Sequence, residues 1–146
     1  MVIVSKFAEN LSALMAERCL NAPKLGKILK TDRTNITRYL KGERMPKFKG
    51  FVAMLEYFNV SADVLLGRTD YSPTEKFLPV QPFGVTLRRI LEETDTSQYK
   101  IEKDLRISGA TVYHWLVGKS LPSVENLNKL ANFMEISVDY LLGRIK

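Results

Sequence analysis

Arg33, Thr34, Thr37, Arg38 and Lys41 are spaced i, i+1, i+4, i+5 and i+8, which on a helix makes a single stripe. Ile36, Tyr39 and Leu40 fall between them and predict the buried side of the same helix. An arginine fork matches the two acceptors on the major-groove edge of guanine, and threonine can bond a base edge or cover a thymine methyl. Asn35, at the edge of the stripe, carries an amide that can pair with adenine or hold a phosphate. Lys24, Lys27, Lys30, Arg44, Lys47 and Lys49 surround this segment, as phosphate contacts surround a base-reading element. The competing reading is an ordinary solvated basic face.

Other chemistries lack their residues. One cysteine, Cys19, and one histidine, His114, cannot build a zinc finger or an internal disulfide. A single inert thiol agrees with a reducing cytosol. There is no phosphate-cradling loop, no metal-ligand cluster and no Ser/His/Asp or Cys/His grouping, so neither an enzyme nor a cofactor is expected. Hydrophobic residues make up 45% and charged residues 26%, the balance of a globular chain rather than a disordered one. The formal net charge of +6 and the pI near 9.5 favour acidic partners, nucleic acid before an anionic membrane. No run of apolar residues is long enough to cross a bilayer, and the opening MVIVSKF has no signal-peptide pattern. A cytoplasmic location follows as the expectation.

The elements that must position the stripe occur twice. Displaced by 76 residues, segment 7–68 falls on 83–144 without a gap, with fifteen identical pairs. They include Phe7/Phe83, Leu11/Leu87, Lys24/Lys100, Lys27/Lys103, Gly42/Gly118, Pro46/Pro122 and the run Leu65-Leu66-Gly67-Arg68 on Leu141-Leu142-Gly143-Arg144. Other pairs exchange one apolar residue for another, as in Ile36/Val112 and Tyr39/Trp115. Two copies indicate one small fold used twice, not a solenoid. The expected division is a first domain at 1–68, a linker at 69–82 and a second domain at 83–146. The linker holds Pro73, Pro79 and Pro82, and its apolar Phe77, Leu78 and Val80 can dock on a domain. Fully extended it would span at most about 46 Å.

Each copy reads as five short helices. Phe7, Leu11, Leu14 and Met15, and likewise Phe83, Leu87, Ile90 and Leu91, form the apolar stripe of a first helix. Asn21 and Ser97 are N-caps for a second, with Pro23 in its first turn. Asp32 and Ser108 cap a third helix running to about Lys41 and Val117, closed by Gly42 and Gly118. A fourth follows Pro46 or Pro122, with Phe51, Met54, Leu55 and Phe58, or Leu127, Leu130, Ala131 and Met134, facing inward. A short fifth starts at Ser61 or Ser137 and ends at Gly67 or Gly143, with Asp63 or Asp139 favourable to its dipole.

Both copies resemble the helix-turn-helix domain of the phage lambda repressor, Cro and xenobiotic-response-element (XRE) family. TSQYKIEKDL resembles the family's second-helix signature, GERMP and GKSLP keep its Gly-x-x-x-Pro, and NVSADVLLGR and EISVDYLLGR keep its ending. The resemblance implies an all-α fold of two five-helix domains and places base-reading residues at Arg33, Thr34 and Arg38, and at Gly109, Ala110 and His114. It places a phosphate-holding glutamine at Gln98, with Ala22 at the matching position of the first copy. The family's small residue in helix two is Gly26 in the first copy and Glu102 in the second, and its turn glycine is replaced by Lys30 and Arg106.

The copies are not equivalent. Residues 1–70 hold 12 basic against 7 acidic residues, and 83–146 hold 9 against 8. The second stripe is Gly109, Ala110, Tyr113, His114 and Val117, which can pack on thymine methyls and carries little charge. His114 stands equally as a base reader or a merely exposed residue. The candidate contact set is Lys24, Arg33, Thr34, Asn35, Thr37, Arg38, Lys41 and Arg44, with Ser97, Gln98, Ala110, Thr111, Tyr113, His114 and Lys119. The expected function is sequence-specific binding of double-stranded operator DNA by a transcriptional regulator, a repressor, through recognition helices in the major groove. The alternative is a protein-interaction module such as an antitoxin, its second domain contacting protein. A homodimer formed through Leu65, Leu66, Leu141 or Leu142 is a further expectation.

Overall fold

The computed structural model describes residues 2–146 as ten helices, with no strand among them. The chain divides into two compact units, Met1–Lys76 and Phe77–Lys146. Unit one contains α1 (Val2–Glu17), α2 (Ala22–Leu29), α3 (Arg33–Leu40), α4 (Phe48–Phe58) and α5 (Ala62–Leu65). Unit two contains α6 (Phe83–Glu93), α7 (Gln98–Leu105), α8 (Gly109–Val117), α9 (Val124–Met134) and α10 (Val138–Leu141). Helices α7 to α10 each begin 76 residues after α2 to α5.

Helices α2, α3, α5, α7, α8, α9 and α10 start at short polar side chains that accept from the first free N–H groups, whereas α4 and α6 follow Lys47 and Pro82 without such a cap. Asn21 Oδ1 accepts from Lys24 N–H, and Ser97 Oγ from Lys100 N–H. Asp32 caps α3 through Thr34 N–H, and Ser108 caps α8 through Thr111 N–H. Ser61 and Ser137 do the same for α5 and α10. The turns repeat in register as well. Positive φ occurs at the pairs Cys19/Asp95, Lys30/Arg106 and Asn59/Glu135, and at Gly42/Gly118 and Gly67/Gly143. Lys30 (φ 57) and Arg106 (φ 56) stand where the resemblance expects a turn glycine. The left-handed backbone is kept there despite the cost of a Cβ.

Each unit closes on its own core. Phe7 meets Tyr39 edge-on at 6.2 Å and Phe51 at 6.4 Å, and Phe83 meets Trp115 edge-on at 6.4 Å. Leu25, Ile36, Leu55 and Leu65 are fully buried in unit one, as are Ile101, Val112, Leu127 and Leu141 in unit two. The helix-turn-helix pair packs on the first helix in both units, α3 on α1 and α8 on α6.

Several expectations are corrected. Leu65, Leu66, Leu141 and Leu142 are at most 1% exposed within their own units, so they cannot form a dimer interface without unfolding the core. Leu40 and Met134 are only half-buried. Each is the last residue of its helix. The first helix begins at Val2, five residues before the first apolar position read as core, and buries Ile3.

The role foreseen for Asp63 and Asp139 as dipole partners is incomplete. Asp63 Oδ1 meets Arg68 Nε at 2.7 Å, and Asp139 Oδ1 meets Arg144 Nη1 at 2.8 Å. Each pair closes the short fifth helix onto the chain that leaves it. Residues of the intervening stretch are also held. Glu75 O accepts from Asn59 Nδ2 in unit one, whereas in unit two Leu78 N–H donates to Arg144 O and the Phe77 ring lies 4.2 Å below the Arg144 guanidinium.

Candidate nucleic-acid interface

In unit one, α2 and α3 are joined by a turn closed by two bonds to Gly26 O, from Lys30 N–H and from Thr31 N–H at 2.8 Å. This tight closure requires Gly26. A Cβ there would stand 2.8 Å from Thr31 O and 3.3 Å from Arg33 N, inside ordinary van der Waals contact. With Ile36 and Tyr39 buried, α3 directs Arg33, Thr34, Arg38 and Lys41 into solvent, with Thr37 half-buried beside them. No acidic side chain interrupts the stripe. Asp32 lies at its N-terminal end, where its carboxyl is held below the usual carboxylate range, first by Thr34 N–H and then by the Thr34 hydroxyl.

The polar groups around the stripe divide into free and committed ones. Lys24 and Lys41 are exposed. Thr37 Oγ1 donates back to Arg33 O at 3.1 Å. Asn35 is committed at both ends of its amide. Its Nδ2 donates to Thr31 Oγ1 and its Oδ1 accepts from Arg44 Nη1, both at 3.1 Å. In this state Asn35 is a bridge from the α2–α3 turn to the α3–α4 loop, rather than an open reader of adenine. Arg44 and Asn35 line one cleft with Lys30, Lys47 and Lys49. Tyr39 also lines the cleft, and burial raises the pKa of its hydroxyl.

Unit two has the same frame with different contents. Gln98, Ala110, Tyr113 and Lys119 are exposed, and Thr111 and His114 are half-buried. The Ser97 and Ser108 hydroxyls serve as caps, and Thr111 Oγ1 lies 2.8 Å from Ser108 Oγ. Tyr113 is 53% exposed and Val117 45%, one turn apart on α8. Gln98 borders a shallow cleft with Arg88, Glu92 and Asp95. The turn after α7 lacks the bond that closes its counterpart, since no described acceptor receives Ile107 N–H. Reading the sequence missed a second difference at this junction. Glu102, in the place of Gly26, lies over Gly109, in the place of Arg33, with Oε2 2.9 Å from where a Gly109 Cβ would be. The signal was the exchange of Gly and non-Gly between the two positions, which the 76-residue register exposes.

Among the described residues no group of His, Cys, Asp and Glu could hold a metal ion, and no helix is long and apolar enough to cross a membrane.

The model of a helix-turn-helix family, HTH_3, matches residues 87–141. The matched segment runs from Leu87 in α6 to Leu141 in α10 and contains the whole α7–turn–α8 element. No curated protein and no solved structure matches the chain.

Proposed function

We propose that the chain is a transcriptional regulator, a repressor, that binds double-stranded operator DNA in a sequence-dependent way with α3 and α8 as recognition helices. The observation that carries this reading is the α3 stripe. Arg33, Thr34, Arg38 and Lys41 are exposed together on the second helix of a tight helix-turn-helix. That is the element whose N-terminal half meets base edges in the major groove. The helix-turn-helix match in unit two supports the same use of the fold. Unit one supplies most of the affinity, because Lys24, Lys30, Arg44, Lys47 and Lys49 lie near its stripe in sequence and, for the last four, around one cleft. In unit two, Ser97, Gln98, Lys119, Ala110, Thr111, Tyr113 and His114 make a weaker and more apolar contact.

The test is Arg38→Ala in the full chain, against the duplex selected from a random pool and against random duplex. The expected loss on the selected site is ~1–3 kcal/mol, with relaxed preference at one or two base pairs. Equal weakening on both duplexes would make Arg38 a phosphate contact instead.

A second reading, in which unit two contacts protein as in an antitoxin, is favoured by the exposed Tyr99, Tyr113, Val117 and Leu121. It predicts that Tyr113→Ala and Val117→Ala leave DNA affinity and its salt dependence untouched.

A further inference from the structure

The two units differ reciprocally at one junction. In unit one the glycine is on the second helix, Gly26, and the first residue of the recognition helix is Arg33. The backbone approach is so close that no side chain fits at position 26 without a shift. In unit two the glycine is on the recognition helix, Gly109, and the second helix carries Glu102. The contacts differ in kind: at Gly26 the near neighbours are backbone atoms of Thr31 and Arg33, whereas at Gly109 they are the tip atoms of the Glu102 side chain.

The exchange reverses the charge at the start of the recognition helix. Where α3 presents a guanidinium, α8 is overlain by the Glu102 carboxylate, its Oε2 2.9 Å and its Oε1 3.9 Å from the position a Cβ on Gly109 would take. No Lys or Arg nitrogen lies within ion-pair distance of the Glu102 carboxylate among the described residues. A helix N-terminus is where free N–H groups and the dipole attract an anion, such as a phosphate oxygen. In unit two the Glu102 carboxylate lies beside the first residue of α8, and Glu102 is exposed.

Resting on the DNA-binding reading above, we infer that Glu102 limits how strongly unit two binds the duplex. Its carboxylate, seated on the first turn of α8 over Gly109, holds unit two away from the phosphate backbone and so sets the division of labour between the units. Net charge alone does not single out this residue, because Lys100, Lys103, Arg106 and Lys119 are also exposed on unit two.

The experiment uses the full chain carrying Glu102→Gln, which keeps the length of the side chain, and Glu102→Ala, which removes it. Each is made in the natural background and with Arg33→Ala and Arg38→Ala. Binding to a random-sequence duplex is measured at several salt concentrations, and Trp115 emission confirms that unit two is folded. Both variants are expected to tighten binding roughly three- to tenfold at low salt, as removal of one like charge near a phosphate does. The gain should persist in the double-alanine background and shrink as salt screens it. Unchanged or weaker binding by both variants overturns the inference while leaving the DNA-binding reading intact. A gain for Ala without one for Gln overturns it too, since that pattern reports packing and not charge. If the natural chain binds no duplex, the DNA-binding reading fails. The inference, which rests on it, falls with it.

Discussion

Arg144→Ala should destabilise unit two by about 3–5 kcal/mol, the usual cost of removing one partner from a buried ion pair. The equivalent Arg68→Ala should cost unit one only about 1–3 kcal/mol, nearer the range for a hydrogen bond to a charged group. The two pairs are almost the same length, 2.8 Å and 2.7 Å, but not equally buried. Arg144 and Asp139 have side-chain exposures of 2% and 0%, against 18% and 7% for Arg68 and Asp63. Water can therefore take over part of the lost contact at Asp63 and little of it at Asp139. Arg144 also covers the Phe77 ring at 4.2 Å, a cation–π contact that the truncation removes as well. A domain of this size has of order 3–10 kcal/mol of stability in total, so Arg144→Ala removes a large share of it.

The assay is urea unfolding with two probes. Trp115 is the single tryptophan and is 2% exposed in the unit-two core, so its emission reports unit two, while far-ultraviolet dichroism reports both units. Arg144→Ala should move the tryptophan transition to much lower urea. Arg68→Ala should leave it in place and shift only the dichroism. Replacing both partners, Asp139→Asn with Arg144→Met, should recover most of the loss because no uncompensated charge stays buried. Equal losses at the two arginines, or an unmoved tryptophan transition in Arg144→Ala, would refute the argument from burial.

Lys30→Gly and Arg106→Gly should each stabilise their units by up to about 1 kcal/mol, because both residues occupy the left-handed region at φ 57 and φ 56 that a Cβ disfavours; thermal unfolding checks this. Gly84→Ala should cost ~1–3 kcal/mol, since its Cβ would meet Leu116 O at 2.5 Å and Trp115 O at 2.6 Å and force α6 off α8; an unchanged tryptophan transition would contradict it. Unit one should lose the α3 cap in acid. The Asp32 carboxyl is lowered from its ordinary value of 3.8 by Thr34 N–H, so its contribution is present above that value and disappears as pH falls through the lower folded one. Asp32→Ser, which copies Ser108 of unit two, should flatten that part of the unit-one pH profile.

Element type and helix starts were legible in the sequence because they depend on local chemistry. Asn21, Asp32, Ser97 and Ser108 accept from N–H groups two or three residues away, and that spacing is visible without a fold. Tyr39 and Trp115 were legible as core residues from the helical period. Leu40 and Met134 were misread for the same reason, because the period gives the direction of a side chain but not whether core still lies beneath it at a helix end. The four leucines after Ser61 and Ser137 were taken as possible contacts between chains, yet a four-residue helix packed on its own unit buries them all. The stripe's positions were legible, but the commitments of its polar groups were not. Asn35 meets Arg44 nine residues on, and Glu102 meets Gly109 across a turn. Those contacts depend on how closely two helices approach.

The register between the units separates what the fold needs from what a partner reads. The shared pairs include buried residues such as Phe7/Phe83, Leu11/Leu87 and Leu65/Leu141, and left-handed turn residues such as Gly42/Gly118 and Gly67/Gly143. Lys24/Lys100 and Lys27/Lys103 are shared although exposed, on the second helix, where contacts to a phosphate backbone position a domain without reading sequence. Every stripe position differs. Arg33, Thr34, Thr37, Arg38 and Lys41 face Gly109, Ala110, Tyr113, His114 and Val117. A family match answers to the first class of residue, so it can fall on unit two although that unit carries little charge on its recognition helix. Partner choice answers to the second class. On the proposed reading, the two units keep one way of sitting on a duplex and differ in what they read there, with unit one reading through guanidinium groups and unit two through an aromatic and apolar face.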